Sequence, residues 1–180
     1  MRLFTAVLFG NGMKDSLYGI TERLRGLTDR GSFTDRDNLH LTLNFIGETD
    51  RREQVEQAMR KAVANTGTNE FTLTVSGFGR FKRREGDILW VGVEECESLW
   101  NLQKELVTRL KEEGFPVDDL SFTPHLTLAR RAILVRDFDE KAFCAGVSPM
   151  SMEVKEVSLM KSERIRGKLV YTRIYGVALI

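Results

Sequence analysis

Residues 39–47 read Leu39-His40-Leu41-Thr42-Leu43-Asn44-Phe45-Ile46-Gly47. Leu39, Leu41, Leu43 and Phe45 alternate with His40, Thr42, Asn44 and Ile46, so the stretch predicts a strand with one mostly apolar face that stops at Gly47. The four residues from His40 recur as His125-Leu126-Thr127-Leu128. The chain holds 21 Leu, 14 Thr and two His. From that composition, Leu-Thr-Leu would follow the second histidine by chance about once in a thousand trials, so a duplicated unit is the better account.

Outward from this strand, Arg2 to Phe9 reads as another, and Met13, Leu17, Ile20, Leu24 and Leu27 then fall at helical spacing. Asp50 with Glu53 resembles a capping box before a helix whose buried stripe is Val55, Met59, Ala62 and Val63. Phe71 to Phe81 and Ile88 to Val93 read as a hairpin closed by the polar turn 82–87. Leu99, Leu102, Leu106 and Leu110 mark a helix over 98–113, stopped by Gly114 and Pro116. A strand starts near His125, a short helix covers 138–144, and two late strands cover 152–161 and 169–179. No Pro-, Gly- or Ser-rich linker divides residues 1–180, which predicts one α+β domain of antiparallel strands with helices packed on them.

Composition narrows the function. In 180 residues, 27 Lys and Arg stand against 26 Asp and Glu, and 42% hydrophobic residues suffice for a core, excluding general disorder. At a net charge of +1, any affinity for nucleic acid must come from a local basic patch. Cys96 and Cys144 are too few for a disulfide framework, and the first apolar run, Leu3 to Phe9, is too short for a signal peptide or membrane span. A soluble cytoplasmic protein with no membrane partner is the expectation.

In a strand, residues i and i+2 share a face, so each histidine stands beside its own threonine hydroxyl while the leucines point to a core. Two lobes built this way could bring both pairs to one cleft. Imidazole, with a pKa near 6.5, can accept a proton in one copy and donate one in the other. Threonine hydroxyls and arginines could hold the oxygens of a phosphoryl group, giving a metal-free route to phosphodiester hydrolysis. A single His-x-Thr would read as a satisfied strand histidine; two copies with no histidine elsewhere favour function. Zinc would need a third ligand, yet the chain has no Cys-x-x-Cys pair and no His-Glu-x-x-His helix, so no metal or other cofactor is expected.

On these motifs the chain resembles the 2H phosphoesterase superfamily and, within it, the bacterial and archaeal RNA 2′,3′-cyclic phosphodiesterases formerly called 2′-5′ RNA ligases. The likeness extends over Arg2-Leu3-Phe4, His40 to Gly47, Ile88 to Val93 with Trp90, Phe122 to Arg130 and the closing strands. It implies two pseudo-symmetric lobes of antiparallel sheet, helices outside and a central cleft carrying one motif per lobe. By the same resemblance His40 would be the proton donor, His125 the proton acceptor, Thr42 and Thr127 phosphate ligands, and Arg130 the accompanying cation. The implied substrate is an RNA or oligonucleotide with a 2′,3′-cyclic phosphate end, opened to a 2′-phosphate. Strict alternation puts Arg130 on the face opposite His125, so the strand bends there or Arg130 acts indirectly. A 2′-5′ RNA ligase using the same site in reverse, and a nucleotide-binding module without turnover, are the alternative readings.

The rest of the substrate has weaker candidates. Arg83 and Arg84, with Arg80 and Lys82, sit at one hairpin tip; Arg164 and Arg166, with Lys161 and Lys168, sit at another. Each cluster reads either as a contact for RNA phosphates or as a solvated turn. Phe45, Phe81 and Tyr171 are candidates to stack a base, against the ordinary reading of strand aromatics as core.

Overall fold

Each copy of the tetrapeptide opens a strand in its own antiparallel sheet in the computed structural model, which describes residues 1–118 and 122–180. Numbered along the chain, the first sheet runs β3 (His40–Glu48), β1 (Arg2–Leu8), β8 (Glu156–Ile165), β9 (Lys168–Ala178). The second runs β2 (Thr28–Phe33), β6 (His125–Leu134), β5 (Asp87–Val93), β4 (Phe71–Phe81), β7 (Met150–Val154). The order β3-β1-β8-β9 thus matches β6-β5-β4-β7, motif strand first, with β2 added outside β6.

Helices α1 (Asn11–Arg25), α2 (Arg52–Thr66), α3 (Glu97–Glu112) and α4 (Glu140–Ala145) supply apolar stripes to the sheets. Leu17 and Leu24 of α1, Val55 and Met59 of α2, and Leu102 and Leu106 of α3 are buried in one core with Leu41, Leu43, Leu126 and Leu128. Burying a leucine stabilises by about 1.5–3 kcal/mol. Slipping either motif strand by one residue would exchange two buried leucines for a histidine and a threonine, so burial sets which face carries the imidazole. Among the described residues no helix is long and apolar enough to cross a membrane.

Several local expectations need correction. Helix α1 ends at Arg25, and Leu27 is 37% exposed because its carbonyl already accepts from Val135 N–H at the start of the β2–β6 pairing. Strand β2 went unpredicted because Thr28-Asp29-Arg30-Gly31-Ser32-Phe33 has no apolar alternation; it is an edge strand with little to bury. Asp50 does not cap α2: the cap residue is Arg51, whose N–H donates to Thr49 Oγ1 at 3.0 Å. The single strand expected over 152–161 is two, β7 and β8, parted at Lys155, and it crosses from the second sheet to the first. The short helix starts at Glu140, where Asp139 Oδ1 accepts from Ala142 N–H at 2.9 Å.

Both motif strands also leave strict alternation, and at matching places. In β3 the ladder passes from Ala6↔Thr42 to Thr5↔Asn44, leaving Leu43 as the extra residue; in β6 it passes from Trp90↔Thr127 to Leu89↔Ala129, leaving Leu128 extra. Each bulge turns the residues beyond it by half a period. Asn44 and Ala129 therefore go into the core, and Phe45 and Arg130 come out. Phe45 does not share a face with Leu41 and Leu43, as alternation predicted. A second irregularity in β6 puts Arg131 in the left-handed region at φ 51°, a conformation that costs a non-glycine residue about 1–2 kcal/mol.

Candidate active site

Asn38-Leu39-His40-Leu41-Thr42 and Thr123-Pro124-His125-Leu126-Thr127 hold their imidazoles alike. His40 Nδ1 lies 2.7 Å from Asn38 O, and His125 Nδ1 lies 2.7 Å from Thr123 O. A carbonyl only accepts, so in each ring Nδ1 carries the proton and donates. Nε2 of the neutral ring is then left with its lone pair. The copies differ at the next atom: His40 Nε2 accepts from Thr42 Oγ1 at 2.8 Å. Among the described residues His125 Nε2 and Thr127 Oγ1 make no side-chain hydrogen bond.

Each imidazole meets an aromatic ring edge-on. Tyr171 stands at 5.1 Å and 87° from His40, and Phe81 at 5.0 Å and 86° from His125. Phe4 is 5.0 Å from both His40 and Tyr171, closing the first wall. Trp90 closes the second, and its indole lies over Gly79, where a Cβ would fall within 2.4 Å of the ring. The Asn38 side chain ties the first wall together: its Nδ2 donates to Leu169 O at 2.8 Å and its Oδ1 accepts from Tyr171 N–H at 3.3 Å.

Arg130 links the halves. Burial is the main cause lowering His40 below the ordinary 6.5; the Asn38 hydrogen bond opposes it, and the charges of Arg130, Lys14 and His125 lower it further. His125 is also lowered, first by burial, against its bond to Thr123, and then by Arg130. The Tyr171 hydroxyl is raised by burial and drawn back by Arg130 and Arg2. One guanidinium is thus felt by both imidazoles and by the ring beside His40. It also lines a cavity of about 610 Å³ with Phe4, Phe45, Arg164 and Tyr171.

The family model described as the 2'-5' RNA ligase superfamily matches residues 14–166. The chain belongs to the 2'-5' RNA ligase superfamily. Among its relatives in that superfamily, an RNA 2',3'-cyclic phosphodiesterase of Methanothermobacter thermautotrophicus is 31% identical over 179 residues, covering 96% of this chain and 95% of the relative. One of Thermotoga maritima is 34% identical over 131 residues, 72% of this chain and 70% of the relative. The crystal structure of E. coli LigT complexed with 3'-AMP superposes with a TM-score of 0.76 at 26% identity, covering 99% and 96% of the two chains.

Of the residues singled out from the sequence of this superfamily member, the structure gathers most on one side. His40, Thr42, Phe45 and Tyr171 share the first wall, His125 and Phe81 share the second with Thr127 paired across to Trp90, and Arg130 lies between. The bulge in β6 settles the question of its side. Arg164 lines the main cavity, while Arg83 and Arg84 line an adjoining one with Arg130. Arg166 is left out, exposed in a left-handed turn residue (φ 50°) at the β8–β9 tip. Sequence reasoning missed Phe4 and the carbonyls of Asn38 and Thr123. Phe4 was hidden in an apolar run, and a backbone acceptor leaves no trace in residue type.

Proposed function

We propose that the protein hydrolyses RNA 2′,3′-cyclic phosphate ends to 2′-phosphomonoesters by metal-independent acid-base catalysis. The observation that carries this reading is the paired anchoring of two histidines, each with Nδ1 tied to a carbonyl two residues back and Nε2 turned to a site sharing Arg130. The names of the relatives, RNA 2',3'-cyclic phosphodiesterase, support the substrate.

In this mechanism His125 Nε2 takes a proton from water as the water oxygen bonds to phosphorus. The bond from phosphorus to the 3′ oxygen breaks, and that oxygen takes the proton from His40 Nε2. The 2′ ester survives. When His40 is protonated, Nε2 donates, so the Thr42 hydroxyl turns and offers its hydrogen to a phosphate oxygen, as Thr127 does from the other lobe. Arg130 offsets the charge on the equatorial oxygens, where it gains most. Phe45, 60% exposed and 6.0 Å from Phe4, presents a face for a base. A 5′-hydroxyl in place of water would run ligation through the same groups.

Incubating the protein with an oligoribonucleotide ended by a 2′,3′-cyclic phosphate, with EDTA present, tests this reading. Phosphorus NMR should show the phosphate retained on the 2′ oxygen. A 3′-phosphate product, or turnover that zinc or manganese must restore, would overturn it.

A further inference from the structure

The cavity beside Phe4, Tyr171 and Arg130 connects through shared lining residues to two others. Arg130 lines both it and a second of about 490 Å³, whose other walls include Arg83, Arg84, Glu85, Gly86 and Arg131. Arg131 and Glu85 in turn line a third, of about 470 Å³, with Arg30, Gly31 and Ser32. Charge is distributed unevenly along the series. In the first, Arg2, Arg130 and Arg164 face Glu48 and Glu163; in the second, four arginines face one carboxylate, Glu85.

These arginines have no carboxylate partner among the described residues, although Arg83 donates to Lys82 O at 2.9 Å and lies over Phe81. Arg80 on the same hairpin pairs with Asp87 and Glu140, and Lys161 on the other pairs with Glu163. Among the described residues Arg30, Arg84, Arg130 and Arg131 make no ion pair. They are also held together by backbone contact. Gly86 sits at φ +112°, where a Cβ would fall 2.6 Å from the Arg131 carbonyl carbon, so the turn 82–86 packs directly on the left-handed bulge of β6. A chain of net charge +1 has concentrated unpaired guanidinium groups on one path leading out of the site.

We propose that this path carries the body of the RNA, the nucleotides upstream of the cyclic phosphate, with phosphates passing from Arg130 to Arg131, Arg83, Arg84 and Arg30. The inference rests on the phosphodiesterase reading and deepens it. The substrate is the end of a strand several nucleotides long, and the β4–β5 turn, not the β8–β9 tip, holds the strand. Each arginine there acts as a phosphate contact that adds affinity without reading sequence.

The test compares kcat/KM on a cyclic-phosphate-ended decaribonucleotide with kcat/KM on a 2′,3′-cyclic mononucleotide. In R83E/R84E and in R30E/R131E the ratio of the two should fall about tenfold or more, because both variants place repulsion along the strand. In R166E/K168E it should stay within about twofold. Binding of the 2′-phosphate-ended product decamer, followed by fluorescence anisotropy against salt, should lose about 0.7 of log–log slope per phosphate contact removed in R83A/R84A. An unchanged ratio and slope in the β4–β5 and β6 variants, or a fall confined to R166E/K168E, overturns the path. If the wild type turned over neither substrate, the phosphodiesterase reading would fall, and anisotropy alone would still decide the path.

Discussion

Strands β3 and β6 begin with the same four residues, bulge after the same leucine and anchor their histidines on carbonyls at the same offset. They part at the fifth position, Asn44 in one and Ala129 in the other, and the sixth, which the bulge turns outward in both, is Phe45 in one and Arg130 in the other. The threonines differ too, Thr42 being engaged by its histidine. In the proposed mechanism, what is shared builds an acid-base pair. What differs gives the pair a direction, with an arene on one side and a cation on the other, so an anionic ester attached to a base has one way to lie.

The largest effect should come from breaking the shared part. His40→Ala or His125→Ala should each lower kcat/KM by about 10² to 10⁴, the usual worth of a positioned acid or base. Their double variant should be little worse than the poorer single one, since the two act in one proton transfer sequence. A substrate whose leaving group needs no protonation should rescue His40→Ala and not His125→Ala. Rescue of the other variant would exchange their roles.

Next in size is the unshared sixth position. Arg130→Gln should cost about 10² to 10³ in kcat, as does loss of one donor to a developing oxyanion, whereas Phe45→Ala should act mainly on KM. Equal effects on KM alone would mean that Arg130 only binds.

A smaller change should appear in the pH dependence. Both imidazoles are held below their ordinary 6.5, and the proposed mechanism needs His125 neutral and His40 protonated in the free enzyme. The bell of kcat/KM against pH should therefore peak below 6.5, its alkaline limb reporting loss of the proton from His40. Arg130→Gln removes a charge that lowers both rings, so the bell should move to higher pH. Stability follows the same linkage: below 6.5 the unfolded chain takes up protons before the folded one does. The melting temperature should fall as pH drops from 7.5 through the lowered folded values, and less so in His40→Gln. A peak above pH 7 would contradict the buried, cation-facing placement of the rings.

The sequence made the motif strands, the helices and the histidine pair legible because each rests on a repeated spacing: two for strands, three and four for helices, and the tetrapeptide itself. Where structure depended on a single extra residue, spacing misled. Alternation assigned Phe45 to the leucine face and Arg130 to the face away from His125, and one bulge in each strand reverses both. Strand β2 was illegible because it buries almost nothing, and the crossing at Lys155 because no glycine, proline or turn residue separates β7 from β8. The arginine path needed the fold, since Arg30, Arg83 and Arg131 come from three separate strands and turns.

The smallest expected effect concerns the residues opposite the two threonines: Ala6 faces Thr42 and Trp90 faces Thr127. Trp90 Nε1 is buried and has no hydrogen-bond partner among the described residues, so the indole contributes its ring surface and not its N–H. An unsatisfied buried donor costs about 1–3 kcal/mol. Trp90→Phe removes that cost while it loses part of the ring, and the two terms offset. Thermal denaturation should show stability within about 1 kcal/mol of wild type, and kcat/KM should change by less than about threefold, because a phenyl ring still backs His125. Trp90→Ala removes the wall itself and should cost about 3–5 kcal/mol. If the phenylalanine variant were as unstable as the alanine one, the N–H would have a partner in solution, and the second wall would be held opposite its threonine by a polar contact that Ala6, opposite Thr42, cannot make.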